Sequence, residues 1–233
     1  MQYLAVNRSE IIAALRGSSY FSDLSEAVLE KLAPGVSLRR YDRDEVLFWE
    51  SDPCAGLHII RKGIVKLFKV SHQGRELIIN ILAEGATLNE VPVFDHGVNP
   101  VSVAALEITD TWIIEADVIQ RVMGEHPEMC RAVIMNLSKN LRMLVTKVEE
   151  LSFYQVTNRL ARLISKLPEE QLSGSKSYQI TQNQLAAQLG TVREVVARSL
   201  SELQRSGAIK VHRKQIEILD EKILRNWAQC TPE

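Results

Sequence analysis

The sequence predicts an α+β chain: a strand-rich first half, a long helix, and a winged helix-turn-helix near the C-terminal end. Three observations carry this. Short β-branched runs recur between Val36 and Ala116, an apolar residue returns every three or four positions from 134 to 151, and a basic stretch beyond that holds two short helical patterns split by a glycine.

The first 33 residues have helical spacing, with Ile11, Ile12 and Leu15 on one face and then YFSDLSEAVLEKLAPG. There Ser22 or Ser25 is placed to cap a helix through Leu32, which Pro34-Gly35 stops. From Val36 the period changes to that of strands. VSLRRY, EVLFWE, LHIIRK, IVKLFKV, ELIINIL, VSVAAL and TWIIEA are separated by Asp/Gly/Pro or Gln-Gly signals and read as a β-barrel, roll or sandwich of about 80 residues. Gly63 and Gly74 stand where the hairpins need a permissive backbone.

After Ala116 the pattern becomes helical. Ile134, Leu137, Leu141, Leu144, Val148 and Leu151 form a narrow seam bordered by Lys139, Asn140, Arg142, Lys147 and Glu150, which suits a coiled coil between two copies of the chain. The alternative is a helix lying on the roll of its own subunit. FYQVTNRLARLISKL continues in helix, and PEEQLSGSKS is a polar connection.

The next stretch opens with ITQNQLAAQLG, in which Thr181 and Gln184 form a capping signal and Gly190 ends the helix. TVREVVARSL follows, with Thr191 and Glu194 at the same capping spacing. On this second helix Val192, Val196, Ser199 and Leu203 share one side, and Arg193, Glu194, Ala197, Arg198, Ser201 and Arg205 share the other. An arginine pairs bidentately with guanine O6 and N7 and a carboxylate accepts from cytosine N4, so Arg193, Glu194 and Arg198 are expected to read bases in the major groove. The plainer reading of Glu194 is the capping box itself, and of the arginines a solvated face. Thr181, Thr191, Ser201 and Arg205 are expected at the DNA backbone. GAIKVHRKQIEIL reads as a two-stranded wing whose tip, Arg213 and Lys214, meets phosphates.

Charge supports a local nucleic-acid contact. The chain carries a formal −1, but Gln171–Gln215 holds seven cations and two anions, which leaves +5 there and −6 elsewhere. Apolar residues make up 45% and charged residues 24%, as in ordinary globular proteins; no run approaches a membrane span, and MQYLAVNRSE has no signal-peptide pattern, so a cytoplasmic protein is expected. Cys54, Cys130 and Cys230 are far apart and predict neither disulfides nor a zinc site.

Taken together, YFSDLSEAVLEKLA, GLHIIRKGIVKLFKVSHQGRELIINIL and ITQNQLAAQLGTVREVVARSLSELQRSGAIKV resemble the leading helix, β-roll and winged helix-turn-helix of bacterial Crp/Fnr-family transcription regulators. The resemblance covers nearly the whole chain. It implies N-terminal helices and a cyclic-nucleotide-binding-like jelly roll as an effector domain over residues 1–116, a dimerisation helix over 117–152 and a winged helix-turn-helix DNA-binding domain over 153–233. It also implies a homodimer on double-stranded DNA with a two-fold operator, RNA polymerase as a further partner, and Arg193, Glu194 and Arg198 as the family's base-reading residues.

The effector is argued separately. Cyclic-nucleotide-binding members hold the phosphate with Gly-Glu and Arg-Ser pairs, and the corresponding positions here are Asn89-Glu90 and Pro100-Val101, so only the glutamate is kept. No Lys or Arg occurs from Glu76 through Gln120, which argues against cyclic AMP. NPVSVAAL is closer to the Fnr-like branch, yet the iron–sulfur cluster of Fnr needs four cysteines and this chain has three. Haem stays open, because His58, His72, His96, His126 and His212 are all available, and Cys54 is a candidate redox thiol. A rival from another class is a cupin-like metalloenzyme, which needs several His and carboxylate ligands on one barrel face, whereas the predicted strands hold His58 alone.

Overall fold

The computed structural model describes residues 2–167, 181–212 and 215–229. Compactness divides the chain into two units, residues 1–69 with 79–141 and residues 70–78 with 142–233.

Eleven strands form among the described residues, nine of them before residue 115. β1 (Gln2–Leu4), β2 (Val36–Tyr41), β3 (Val46–Phe48), β4 (Leu57–Lys62), β5 (Ile64–Val70), β6 (Glu76–Ala83), β7 (Thr87–Leu88), β8 (Ser102–Ala105) and β9 (Thr109–Ile114) make two sheets, in the orders β1-β2-β9-β4-β7 and β3-β8-β5-β6. All runs read as strands in the sequence are present, some of them shorter. β1 and β7 were not legible, being only three and two residues long.

Strands β4 and β9 explain why the runs are nearly continuous in apolar residues. Leu57 and Ile59 with Trp112 and Ile114 face helices, whereas Ile60 faces the other sheet, so both faces are buried. Phe48, Ile60, Val65, Leu88 and Val103 fill the interior between the sheets. The outer face is covered by α1 (Arg8–Gly17), α2 (Glu26–Leu32), α4 (Ala116–Glu125) and the start of α5 (Glu128–Phe153), and α3 (Glu90–Asp95) follows β7. Gly63 takes φ +100°, and a Cβ there would lie 2.5 Å from Thr109 Oγ1, so a side chain is doubly excluded. Ser25 is the N-cap of α2, without a side-chain bond.

Pro127 divides the segment 117–152. α4 ends at Glu125, and α5 starts at Glu128 because proline has no N–H to continue the earlier ladder. Along α5, Ile134, Leu141, Leu144, Val148 and Leu151 are 46–63% exposed, and Leu137 is half-buried against the helix-covered core. Only one of the six seam residues therefore packs on its own roll.

The second unit is built on α6 (Val156–Lys166), α7 (Gln182–Leu189), α8 (Arg193–Arg205), the antiparallel pair β10 (Ile209–His212) and β11 (Gln215–Ile218), and α9 (Glu221–Gln229). Leu160, Ala161 and Ile164 of α6 meet Leu185 and Leu189 of α7, Val196, Leu200 and Leu203 of α8, and Leu224 of α9 in one core. At the two-residue joint between α5 and α6, the Arg162 guanidinium lies 3.6 Å over the Tyr154 ring. Arg162 Nη1 and Lys166 Nζ reach Glu150 Oε1 at 3.4 and 3.8 Å. No helix among the described residues is long and apolar enough to cross a membrane.

Candidate nucleic-acid interface and roll pocket

Helix α7 starts as its sequence predicts. The Thr181 hydroxyl accepts from the Gln184 N–H, and the Gln184 side chain accepts from the Thr181 N–H, a reciprocal box worth about 1 kcal/mol. It ends on Gly190 at φ +62°, where any residue with a Cβ is strained.

The start of α8 corrects the sequence reading. The Thr191 N–H donates to the Ala186 carbonyl at 2.9 Å, so Thr191 closes α7 and does not cap α8. The N-cap is Val192, with no side-chain bond, and the Thr191–Glu194 box does not form. Glu194 is thus not consumed as a cap.

Arg193, Glu194, Arg198, Ser201 and Arg205 are all exposed, on the side of α8 away from buried Val196, Ser199, Leu200 and Leu203. Among the described residues Glu194 and Arg198 make no hydrogen bond or ion pair, and Arg193 Nε only approaches Gln182 Oε1 at 3.5 Å. Ser201 bonds back to the Ala197 carbonyl at 2.9 Å, and Arg205 Nε lies 3.4 Å from the Ser201 carbonyl. Thr181 is exposed and Thr191 half-buried. The register Ile209↔Ile218, Val211↔Ile216 and His212↔Gln215 forms the wing, whose tip residues Arg213 and Lys214 lie outside the described residues, as do Cys230 and the polar connection from Pro168.

In the roll, Asn89 has φ +67°, a left-handed conformation that asparagine tolerates nearly as well as glycine. Its side chain is used internally: Nδ2 donates to the Gly56 carbonyl at 3.0 Å and to Asn99 Oδ1 at 3.1 Å. Asn99 Nδ2 in turn donates to the Trp49 and Pro53 carbonyls, both at 3.1 Å. A glycine at position 89 would leave that space open. Glu90 accepts from Asn140 Nδ2 of α5 at 2.6 Å, and burial pushes its carboxyl above the usual range, against the opposing pull of its backbone amide and Asn140. The Tyr20 hydroxyl is buried beside this carboxyl without a hydrogen bond of normal geometry, and burial, then Glu90, raise its pKa. Pro100 is exposed, while Val101 packs on the interior cluster. Of the four candidate positions, Asn89 and Glu90 are turned to this chain's own groups, and Pro100 and Val101 offer no polar side chain.

His58 is enclosed, its ring 5.2 Å from that of Phe48 and Nδ1 3.5 Å from Thr111 Oγ1. Burial lowers its pKa to about 3, so it is neutral. His72 and His96 are exposed, His126 meets Lys31 and Glu128, and His212 meets Glu217. Among the described residues no three His, Cys, Asp or Glu side chains converge as metal ligands, the arrangement that the metalloenzyme reading needed. Burial pushes the Cys54 thiol up, the opposite of an activated thiolate.

A two-sheet roll with an apolar interior, joined through a long helix to a helix-turn-helix with an exposed, uncommitted charged face, defines a DNA-binding regulator with a sensor domain. Residues 38–126 match the family described as cyclic nucleotide-binding domain, and residues 158–227 the family described as Crp-like helix-turn-helix domain. The chain belongs to the Crp/Fnr family and is a DNA-binding transcription regulator of that type. It is 25% identical over 214 residues to the cyclic AMP receptor protein of Thermus thermophilus, covering 92% of this chain and 98% of that one. It is 21% identical over 192 residues to the global nitrogen regulator of Synechococcus elongatus, covering 79% and 86%. A Crp/Fnr-family regulator from Eubacterium rectale shares the fold with a TM-score of 0.76 at 22% identity, over 91% of this chain and 100% of that one.

Proposed function

We propose that the chain works as a homodimer that reads a two-fold operator through α8 and answers to a small effector other than a cyclic nucleotide, as an Fnr-like member of its family. The observation that carries base reading is the uncommitted Arg193–Glu194–Arg198 face beside the small Ala197, which lets the helix approach a groove closely. Pairing through α5 is supported by the exposed stripe from Ile134 to Leu151, since an apolar seam left in water is costly and a second copy covers it. Half-sites are then expected about 34 Å apart. Thr181, Thr191, Ser201, Arg205 and the wing tip Arg213–Lys214 serve the phosphate backbone, and RNA polymerase is the expected further partner. The proposed division of labour is 1–116 for sensing, 117–152 for dimerisation and 153–233 for DNA binding.

Exclusion of cyclic nucleotides rests on Asn89 filling its own loop and on the cation-free stretch from Glu76 to Gln120. The name of the Thermus thermophilus relative favours the opposite reading, a cyclic AMP response. Calorimetric titration decides between them. Saturable cyclic AMP binding in the micromolar range would establish the second reading, and no heat at millimolar cyclic AMP supports the first. Light scattering together with anisotropy on an operator selected from a random pool tests the dimer and its reading of sequence.

A further inference from the structure

Three consecutive residues of α6 each hold a different helix. The Thr157 hydroxyl lies 2.7 Å from Glu202 Oε2 and 2.9 Å from Ser199 Oγ on α8. Asn158 Nδ2 donates to the Trp227 carbonyl of α9 at 2.9 Å. Arg159 Nη1 donates to the Leu189 carbonyl, the last of α7, also at 2.9 Å. Successive helical side chains diverge by about 100°, which is how neighbours in sequence reach three partners around one helix. We propose that Thr157, Asn158 and Arg159 are positioning residues that fix the angle of α8 against α7, and thereby the sequence specificity of the regulator. This rests on the reading of α8 as the base-reading helix.

The chemistry separates adhesion from register. Leu160, Ala161 and Ile164 against Val196, Leu200 and Leu203 supply apolar burial, which is not directional and tolerates rotation of one helix on another. Hydrogen bonds do not tolerate it, since they weaken steeply as the angle at hydrogen falls. Thr157 and Ser199 are 7% and 4% exposed, so their hydroxyls are desolvated and depend on each other. A hydroxyl has one hydrogen and a carboxylate only accepts, so Thr157 donates to Glu202 and accepts from the Ser199 O–H. The Glu202 carboxylate also lies at the first turn of α6, and the Arg159 guanidinium at the last carbonyl of α7; each charge has the sign its helix end favours. Arg159 Nε is buried without a partner, a cost that packing alone would not require. Ser199 stands on the side of α8 opposite the base-reading face, so a rotation of the helix about that anchor displaces Arg193 and Arg198 from the geometry that bidentate base contacts need.

The test measures affinity for the selected operator and for random duplex, with Tm, in the full-length protein. Thr157→Val should lower the operator-to-random ratio roughly tenfold, about the loss of one bidentate base contact, with random-duplex affinity unchanged, and Thr157→Ser should restore the ratio. Glu202→Gln, at an exposed position, should give a smaller loss in the same direction, and it decides the matter if Thr157→Val does not fold. A ratio that stays at the wild-type value in these variants, even with a lowered Tm, overturns the positioning role. Arg193→Ala separates the two readings. If it loses the ratio while Thr157→Val and Glu202→Gln keep it, positioning alone fails; if Arg193→Ala keeps the ratio, base reading by α8 fails and takes the proposal with it.

Discussion

The outward face of α8 and the loop around Asn89 are both places where this chain's family meets something else, and they treat their polar groups in opposite ways. On α8, Glu194 and Arg198 are exposed and bonded to nothing among the described residues. In the roll, Asn89 and Glu90 are turned to Gly56, Asn99 and Asn140. Glu194 and Arg198 thus leave their hydrogen-bonding capacity unspent, whereas Asn89 commits its amide Nδ2 and Glu90 a carboxylate oxygen to their own chain, with Asn89 Oδ1 buried and unbonded. In the proposed function the first surface is the DNA reader and the second an effector site altered from the cyclic-nucleotide pattern.

Four experiments break or sharpen this contrast. The largest effect should come from the outward-facing seam: Leu141→Asp with Val148→Asp should give a monomer by light scattering and lower operator affinity at least a hundredfold. Each seam side chain contributes about 1.5–3 kcal/mol when buried, and symmetry counts it twice. A dimer that survives would place the interface elsewhere. Next, Arg193→Ala should cost about 1–3 kcal/mol on the operator and little on random duplex; equal losses on both would make Arg193 a phosphate contact.

The inward-facing groups predict pH effects. The folded-state pKa of His58 is lowered to about 3 from an ordinary 6.5, so the unfolded chain takes up its proton first and stability falls as pH drops from about 6.5 toward 3. Its share of that slope is at most about 1.4 kcal/mol per pH unit, and His58→Leu should remove it from the acid limb of a denaturation series. An unchanged limb would mean that the ring ionises in the folded state. Glu90 has the opposite sense and the smallest effect. Its pKa is raised from 4.5, so holding it charged penalises the folded state as pH rises through that value and up to the raised one, and Glu90→Gln should raise Tm at neutral pH but not at pH 4. A lower Tm at neutral pH would show that the charged form is the one Asn140 holds.

Local chemistry was readable wherever it decided the outcome. Thr181 and Gln184 fix the start of α7 because both partners lie within one turn, and β4 and β9 read as strands because both their faces are apolar. Thr191 misled because the same residue can cap the next helix by its side chain or close the last one by its N–H. Only the placement of Gly190 in the left-handed region chooses between them. The break at Pro127 was visible as a residue but was overridden by the long apolar period, and α3 has no side-chain cap to mark it. Helix α9 did carry a signal that the sequence reading passed over, Asp220, whose Oδ1 accepts from the Lys222 and Ile223 N–H groups at 2.7 and 3.0 Å. The partners of Thr157, Asn158 and Arg159 lie 30 or more residues away, beyond the reach of any local pattern.

Asn140 and Leu141 are adjacent on α5, one bonded to Glu90 in the roll and the other exposed on the seam. In the proposed dimer this puts the chemistry of each receiver one residue from the symmetry axis. A chemical event at one carboxyl need not travel down the chain to be felt by the second copy. In that proposed arrangement it would be delivered where the two copies meet, and two such events, one from each roll, would arrive at the same stretch of helix. Such a regulator can respond more steeply than a single binding event allows.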